Sequence, residues 1–273
     1  MNRIAAIALA EFRVALRNRW VAISVVIMAL FATVLSAAGS APSGELGVDK
    51  LSLTVASLTS LAVYLVPLVA LLMAFDAIAG ELERGTLPLL LTYPISRIEI
   101  LLGKFAAHMA TLSLAIAIGF GIAAAVALYF DTGAVQGLPA LMRLYLTSLL
   151  LGATFLGLGY AISALSGRPG AAAGAAIAAW LILIVLYDLA LLAGIVADNG
   201  GTFTLVIFPW LILANPADAF RLYNLAASDA ASAAGGIGGA AHTISPMLAI
   251  ASVMVWSVLA LALAAAAFGR VKP

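Results

Sequence analysis

The sequence predicts an all-α, polytopic membrane protein with six transmembrane helices. Of its 273 residues, 65% are hydrophobic and only 9% are charged, whereas a soluble domain of this length needs far more charge to cover its surface. The apolar residues also come in long runs, while a membrane β-barrel would show short alternating strands. Helices in lipid are therefore the expected fold.

Six apolar runs have the length of a membrane span. About 20 apolar residues cross the roughly 30 Å hydrocarbon layer. The predicted spans are residues 20–38, 54–75, 105–128, 141–165, 170–193 and 246–268. We expect the whole chain, residues 1–273, to form one transmembrane domain.

Basic residues predict the orientation of these spans. An even number of spans puts both termini on one side, and lysine and arginine favour the cytoplasm. The side of the termini carries Arg3, Arg13, Arg17, Arg19, Arg84, Arg97, Lys104, Arg168, Arg270 and Lys272, whereas the other side carries only Lys50, Arg143 and Arg221. We therefore expect both termini in the cytoplasm.

Residues 1–19 have the pattern of a helix that lies in the membrane surface. Leu9, Phe12 and Leu16 share one side, and arginines occupy a neighbouring sector. Such a helix rests at the headgroups with its arginines near phosphates. The alternative is a plain cytoplasmic extension of the first span.

Residues 81–104, here called the charged segment, form the most informative part of the chain. Ser96 and Glu99 have the spacing of a capping box, which starts a helix that continues into the third span. Thr86 opens a short helix that must end before Pro94, because the residue before a proline avoids the α region. The expected result is a helix, a break and a second helix.

The charged segment must face water, and it is joined directly to two spans. It can therefore bind a soluble partner protein, which we expect to be a separate ATPase. The candidate coupling residues are Glu81, Glu83, Arg84, Gly85, Thr86, Leu87, Arg97, Glu99 and Lys104. The alternative is a solvated loop with helix caps.

The largest external region is residues 194–245, while residues 39–53 form a plain external loop. Asn215, Pro216 and Asp218 favour a helix start, and this helix would run to about residue 227. We expect re-entrant or interfacial helices here. The candidate external interface is Pro209, Trp210, Asn215, Pro216, Asp218 and Arg221. The alternative is a lipid-anchored lid without a partner.

Small residues predict close helix packing. Gly170 and Gly174 have the small-xxx-small spacing, and Gly152, Gly157 and Gly159 line the preceding span. Glycines at such positions let two helix backbones approach in lipid.

The sequence lacks the residues that several kinds of chemistry require. No phosphate-binding loop of the Gly-x-x-x-x-Gly-Lys-[Ser/Thr] type occurs, so ATP is not expected on this chain. His108 and His242 fall on opposite sides of the membrane, and no metal site is expected. Asp188 lies within the fifth span, where an acid is a functional candidate. A membrane-embedded enzyme built around Asp188 is therefore an alternative.

Short runs along the chain resemble a known family. Glu-Arg-Gly-Thr-Leu at residues 83–87, Tyr-Pro-Ile-Ser-Arg at 93–97 and Gly-Lys at 103–104 resemble the ABC-2 type permeases. The runs at residues 11–13, 16–20, 75–81, 209–211 and 215–222 are similar, more specifically, to the permeases of nitrous-oxide-reductase maturation systems.

This resemblance implies a non-catalytic permease subunit in the bacterial inner membrane. It implies a homodimer, a cytoplasmic NosF-like ABC ATPase that holds ATP and magnesium, and a periplasmic, β-helical NosD-like protein. No cofactor is then expected in this chain. ATP hydrolysis would drive transport of a sulfur species or motion of the periplasmic partner, in support of copper-site assembly. The alternatives are an ABC-2 exporter of a lipid or drug and a secondary transporter that works without ATP.

Overall fold

The computed structural model of the chain describes residues 3–16, 26–27, 29–31, 33–34, 50–198, 200–226 and 244–271. The regular elements in these ranges are helical, as predicted. They are α1 (Arg3–Leu16), α2 (Lys50–Ala74), α3 (Ala79–Glu83), α4 (Thr86–Leu91), α5 (Arg97–Phe130), α6 (Leu138–Ser166), α7 (Pro169–Trp180), α8 (Tyr187–Asp198), α9 (Phe208–Ala214), α10 (Pro216–Ala226) and α11 (Pro246–Gly269).

Five helical stretches in the described ranges are long and apolar enough to cross a membrane. They are Thr54–Glu83, Arg97–Phe130, Gly133–Ser166, Pro169–Asp198 and Pro246–Gly269, and they lie over the second to sixth predicted spans. Most of the first predicted span, residues 20–38, lies outside the described residues. The few residues described within it are helical.

The stretch Pro169–Asp198, which corresponds to the fifth predicted span, contains a local change of helix type. Between α7 and α8 the chain forms a π-helical segment, Leu181–Leu186. The side-chain amide of Asn215 donates to the carbonyl oxygen of Leu183 at 2.6 Å. A π-helical turn leaves backbone groups open to outside partners, and Asn215 occupies one of them.

A second break shapes the external region. A π-helical stretch, Phe203–Ile207, leads into α9, and the chain then bends by 107° into α10. Asn215 stands at the bend, and its side-chain oxygen accepts from the backbone N–H of Ala217 at 2.8 Å. The predicted start of this helix is confirmed. We call α9 and α10 the bent pair.

Glycine allows close packing around α6. A Cβ on Gly157 would lie 2.8 Å from the backbone of Ala260 in α11, and one on Gly159 would lie 2.6 Å from Ala74 in α2. Gly152 meets Leu112 of α5 in the same way, so the predicted close approach is confirmed for these three glycines. A Cβ on Gly170 or Gly174 would meet nothing within 4 Å among the described residues.

The N-terminal helix α1 packs on the first turns of α5. A Cβ on Gly103 would lie 2.6 Å from the side chain of Ile7, so only glycine allows this contact. Leu9 is exposed. The position of α1 at a membrane surface stays a prediction.

The helices have two distinct ends. The charged segment, α1 and the C-terminal ends of α6 and α11 lie together, and we call this the charged-segment end. The bent pair, α8 and the start of α11 lie at the opposite end.

Candidate functional site

The charged segment folds as two short helices separated by glycine. α3 ends at Glu83, and Gly85 has a φ of 69°, a left-handed conformation that favours glycine. α4 then runs from Thr86 to Leu91, and the Thr92 hydroxyl donates to the carbonyl oxygen of Leu89 at 2.7 Å. The predicted helix, break and helix are α4, the break before Pro94 and α5, which begins at Arg97, and all three are present. The short helix α3 before them was not predicted.

The start of α5 is fixed by the predicted capping box. The backbone N–H of Glu99 donates to the Ser96 hydroxyl oxygen at 3.2 Å, and the Ser96 N–H donates to the Glu99 carboxylate at 2.8 Å. These bonds satisfy amides that a helix start otherwise leaves unpaired. Glu99 is therefore engaged within its own helix.

A buried serine holds the beginning of α3 on α6. The Ser163 hydroxyl oxygen accepts from the backbone N–H groups of Ile78 and Ala79 at 3.0 and 2.9 Å. Ser163 is fully buried. Leu87 of α4 is also fully buried in the main core. The charged segment is thus seated on the helix bundle.

Lys104 joins three elements through two ion pairs. Its ammonium lies 2.5 Å from Glu11 of α1 and 2.6 Å from Glu81 of α3, and only 3% of its side chain is exposed. Lys104 and Glu81 were expected to meet a partner protein. Burial corrects that expectation for Lys104, whereas Glu81 is partly exposed and pairs with Lys104 within the chain.

Arg97 also faces inward. Its guanidinium Nη1 donates to the carbonyl oxygens of Phe268 and Val271 at 2.7 and 2.6 Å, and it lies over the Phe268 ring. These carbonyls belong to the end of α11. Arg97 was expected to meet a partner, but its partly exposed guanidinium is engaged within the chain.

Four of the nine candidate coupling residues remain open to solvent: Glu83, Arg84, Gly85 and Thr86. Arg84 lies 3.2 Å from Asp76, and both side chains are substantially exposed. Gly80 makes room for the Asp76 side chain, which would overlap a Cβ there.

Sequence reasoning missed two apolar residues on the same surface. Leu89 and Tyr93 are 66% and 63% exposed, beside the open charged residues. Helical periodicity could have identified Leu89. Leu87 of the same short helix faces the core, and a residue two positions later, which is Leu89, points to another side of the helix. We call Glu83, Arg84, Thr86, Leu89 and Tyr93 the exposed surface.

A cavity of about 470 Å³ lies beneath the charged segment, between α1, α2 and α5. Charged side chains line it, among them Glu11, Asp76, Arg84 and Lys104. His108 also lines it, and its Nδ1 lies 2.6 Å from the Tyr160 hydroxyl oxygen. In the described ranges no three His, Cys, Asp or Glu side chains are grouped to hold a metal ion. His242 lies outside the described residues.

The opposite end contains a second buried cation. The Arg221 guanidinium contacts both carboxylate oxygens of Asp188, at 3.2 and 2.8 Å, and lies 3.3 Å from Asp218. The Tyr64 hydroxyl donates to Asp188 at 3.4 Å, and its ring lies beneath the guanidinium. Asp188, the intramembrane candidate, is therefore the anchor of the bent pair to the fifth span.

Burial corrects the predicted external interface at four of its six residues. Asn215, Pro216, Asp218 and Arg221 are buried within the chain, because the bent pair packs its polar groups against α2 and α8. Trp210 is 67% exposed. Trp210 and the half-buried Pro209 are the members that remain available to a partner.

Comparison with known proteins gives consistent matches over nearly the full length. A model of the ABC-2 family transporter proteins matches residues 5–272. A probable ABC transporter permease protein NosY of Pseudomonas aeruginosa is 45% identical over 269 residues, which cover 97% of each chain. The protein with the same name in Stutzerimonas stutzeri is 40% identical over 274 residues, covering 99% of each.

Proposed function

The chain belongs to the ABC-2 family of transporter proteins as a multi-pass permease subunit, and we propose that it serves copper-site assembly in nitrous oxide reductase. In this proposal a separate NosF-like ATPase binds and hydrolyses ATP with magnesium at the cytoplasmic side. The permease couples that hydrolysis to passage of a sulfur species or to motion of a NosD-like periplasmic partner. It works as a homodimer in the bacterial inner membrane.

The observation that carries this proposal is the exposed surface on the charged segment. Leu89 and Tyr93 are exposed apolar side chains, and Glu83, Arg84 and Thr86 are exposed residues earlier in the same short segment. Protein interfaces usually combine apolar and polar groups of this kind. The occupant we propose is the ATPase, because an ABC permease takes its energy from such a subunit.

The attachment of the charged segment supports a role in coupling. The segment continues into α2 on one side and α5 on the other. Ser163, Lys104 and Arg97 also tie it to α6, α1 and α11. Movement of the charged segment is therefore passed to five other helices, to two through the chain itself and to three through hydrogen bonds or ion pairs.

The distribution of basic residues supports the proposed orientation. Arginine or lysine occurs at the charged-segment end at Arg3, Arg13, Arg84, Arg97, Lys104, Arg168 and Arg270. The opposite end has Lys50, Arg143 and Arg221. This asymmetry favours a cytoplasmic charged segment, where an ATPase has access to ATP.

The test is a double substitution, Glu83→Ala with Arg84→Ala. We expect less of the ATPase subunit to copurify with the permease, or the complex to lose permease-dependent ATP turnover. Insertion of the permease into the membrane should be unchanged. The matched control is Arg168→Ala, which removes an exposed charge at the same end from a residue that is not part of the exposed surface. Unchanged docking and turnover in the double variant would remove the proposed role of this surface.

A separate measurement tests the proposed partners. The permease is purified from its native host in mild detergent, and every copurifying chain is identified. We expect an ABC ATPase and a β-helical periplasmic protein. Copurification with an ATPase that serves lipid or drug export would instead support the alternative exporter.

A further inference from the structure

Helix α11 touches both ends of the molecule. It has 24 residues and is therefore about 36 Å long at 1.5 Å per residue. Its C-terminal end meets the first turn of α5, and its first half meets the corner of the bent pair. It is thus in contact with the charged segment and with the opposite end at the same time.

At the charged-segment end, Arg97 holds the last turn of α11. Its Nη1 donates to the carbonyl oxygens of Phe268, Gly269 and Val271 at 2.7, 3.3 and 2.6 Å. The last carbonyls of a helix have no partner within the helix, and a cation there is favoured by the helix dipole. Since Arg97 is the first residue of α5, the start of α5 and the end of α11 are fastened together.

At the opposite end, α11 holds the corner of the bent pair. The Ser252 hydroxyl donates to the carbonyl oxygen of Leu213 at 2.5 Å, and the Trp256 indole N–H donates to that of Ala214 at 3.1 Å. Leu213 and Ala214 are the last residues of α9, just before the 107° bend. A shift of α11 would therefore pull directly on this corner.

The middle of α11 is bound to α6. Its backbone lies close to Gly157 of α6, and the Ser257 hydroxyl oxygen lies 2.8 Å from the Thr154 hydroxyl oxygen and 3.0 Å from the carbonyl oxygen of Leu150. We therefore expect α11 to move together with α6. The hydrogen bonds at Arg97 and Trp256 join α11 to the start of α5 and to the bent pair.

We propose that α11 carries movement from the charged segment to the bent pair, with Arg97 as its input contact and Trp256 as its output contact. This inference rests on the proposed function, in which an ATPase moves the charged segment. α5 is continuous with the segment but reaches the opposite end elsewhere, at Phe130. Arg97 is a positioning residue that acts through α11.

The experiment uses single cysteine reporters, because the sequence contains no cysteine. One reporter is Trp210→Cys on the bent pair, and the other is Tyr129→Cys near the outer end of α5, both at exposed positions. The labelling rate of each is measured in the permease–ATPase complex, with and without ATP. We expect ATP to change both rates by roughly fivefold or more, as ordinary coupling between sites does.

Two variants then interrupt the route at either end. Arg97→Ala should abolish the ATP response at position 210 and preserve the response at position 129. Trp256→Phe removes the indole donor far from the charged segment and should also reduce the response at position 210. Arg270→Ala is the matched control, because it removes a neighbouring exposed cation and should leave both responses intact.

The outcomes distinguish failure of the proposed route through α11 from failure of the proposed ATP-driven function. An ATP response at position 210 that survives Arg97→Ala and Trp256→Phe would overturn the route through α11 while the proposed function stands. If neither reporter responds to ATP in the parent complex, the ATP-driven movement is refuted, and the route is refuted with it. If Arg97→Ala does not accumulate in the membrane, Trp256→Phe decides the question.

Discussion

The two ends of the molecule are each held by one buried cation shared between two carboxylates. At the charged-segment end Lys104 pairs with Glu11 and Glu81, and at the opposite end Arg221 pairs with Asp188 and Asp218. The charges are the same, but the surroundings differ. The comparison separates an end whose helices can shift relative to one another from an end whose helices are held together as one body.

The Lys104 cluster joins three helices beside open space. Glu11 and Glu81 come from α1 and α3, both remain partly exposed, and the cavity of about 470 Å³ lies next to them. An ammonium is a point charge on a flexible stem. These helices can therefore shift while the charges stay compensated or meet solvent.

The Arg221 cluster is directional. The planar guanidinium contacts both carboxylate oxygens of Asp188, whose side chain is 24% exposed, and lies beside Asp218, whose side chain is 5% exposed. Such a fork fixes distance and angle together. The bent pair is thus bound to the fifth span as one body, which is what a moving part needs if it is to be pulled by α11 without unfolding.

Arg221→Ala should have the largest effect on stability. It leaves two carboxylates facing each other in a buried site, and breaking a buried ion pair on one side costs about 3–5 kcal/mol. The free energy of unfolding can be measured by SDS titration in mixed micelles. Arg221→Lys is the control and should lose less, because it keeps the charge but not the fork. Equal stability of Arg221→Ala and the parent would contradict the rigid attachment of the bent pair to the fifth span.

Lys104→Ala should have a smaller effect, about 1–3 kcal/mol, since Glu11 and Glu81 can turn towards solvent once the cation is gone. The same titration measures it. We also expect α1 to become more accessible to protease, because the substitution removes its ion pair with α5. A loss larger than that of Arg221→Ala would reverse the comparison between the two ends.

Tyr64→Phe should have the smallest effect, below about 1 kcal/mol. It removes one long hydrogen bond to Asp188, of 3.4 Å, and keeps the ring beneath Arg221. Unfolding midpoints of the parent and variant measured side by side provide the check. A loss as large as that of Arg221→Ala would mean that Tyr64, and not the guanidinium, holds the cluster together.

Local features of this fold could be predicted from sequence, because their partners are near in the chain. Ser96 and Glu99 are three residues apart, and Asn215 caps a helix two residues on. The glycines of α6 indicated close packing, although not against which helix. In the two caps the residue type and its spacing determine a bond within one turn.

The contacts that organise the two ends could not be predicted in this way. Arg97 reaches Val271, 174 positions away, and Lys104 reaches Glu11, 93 positions away. Nothing in the local pattern of Lys104 distinguishes a buried cation from a solvated one. For the same reason Asp218 and Arg221 looked like an external surface, while packing of the bent pair buries them.

A crosslink from the exposed surface tests the central claim most directly. Leu89→Cys gives the chain a single thiol at an exposed position of α4, to which a photoreactive maleimide is attached in native membranes. We predict a crosslink to a nucleotide-binding subunit whose yield changes with ATP. The same probe at Trp210→Cys should give no such product. A crosslink to that subunit from position 210, and none from position 89, would contradict the account.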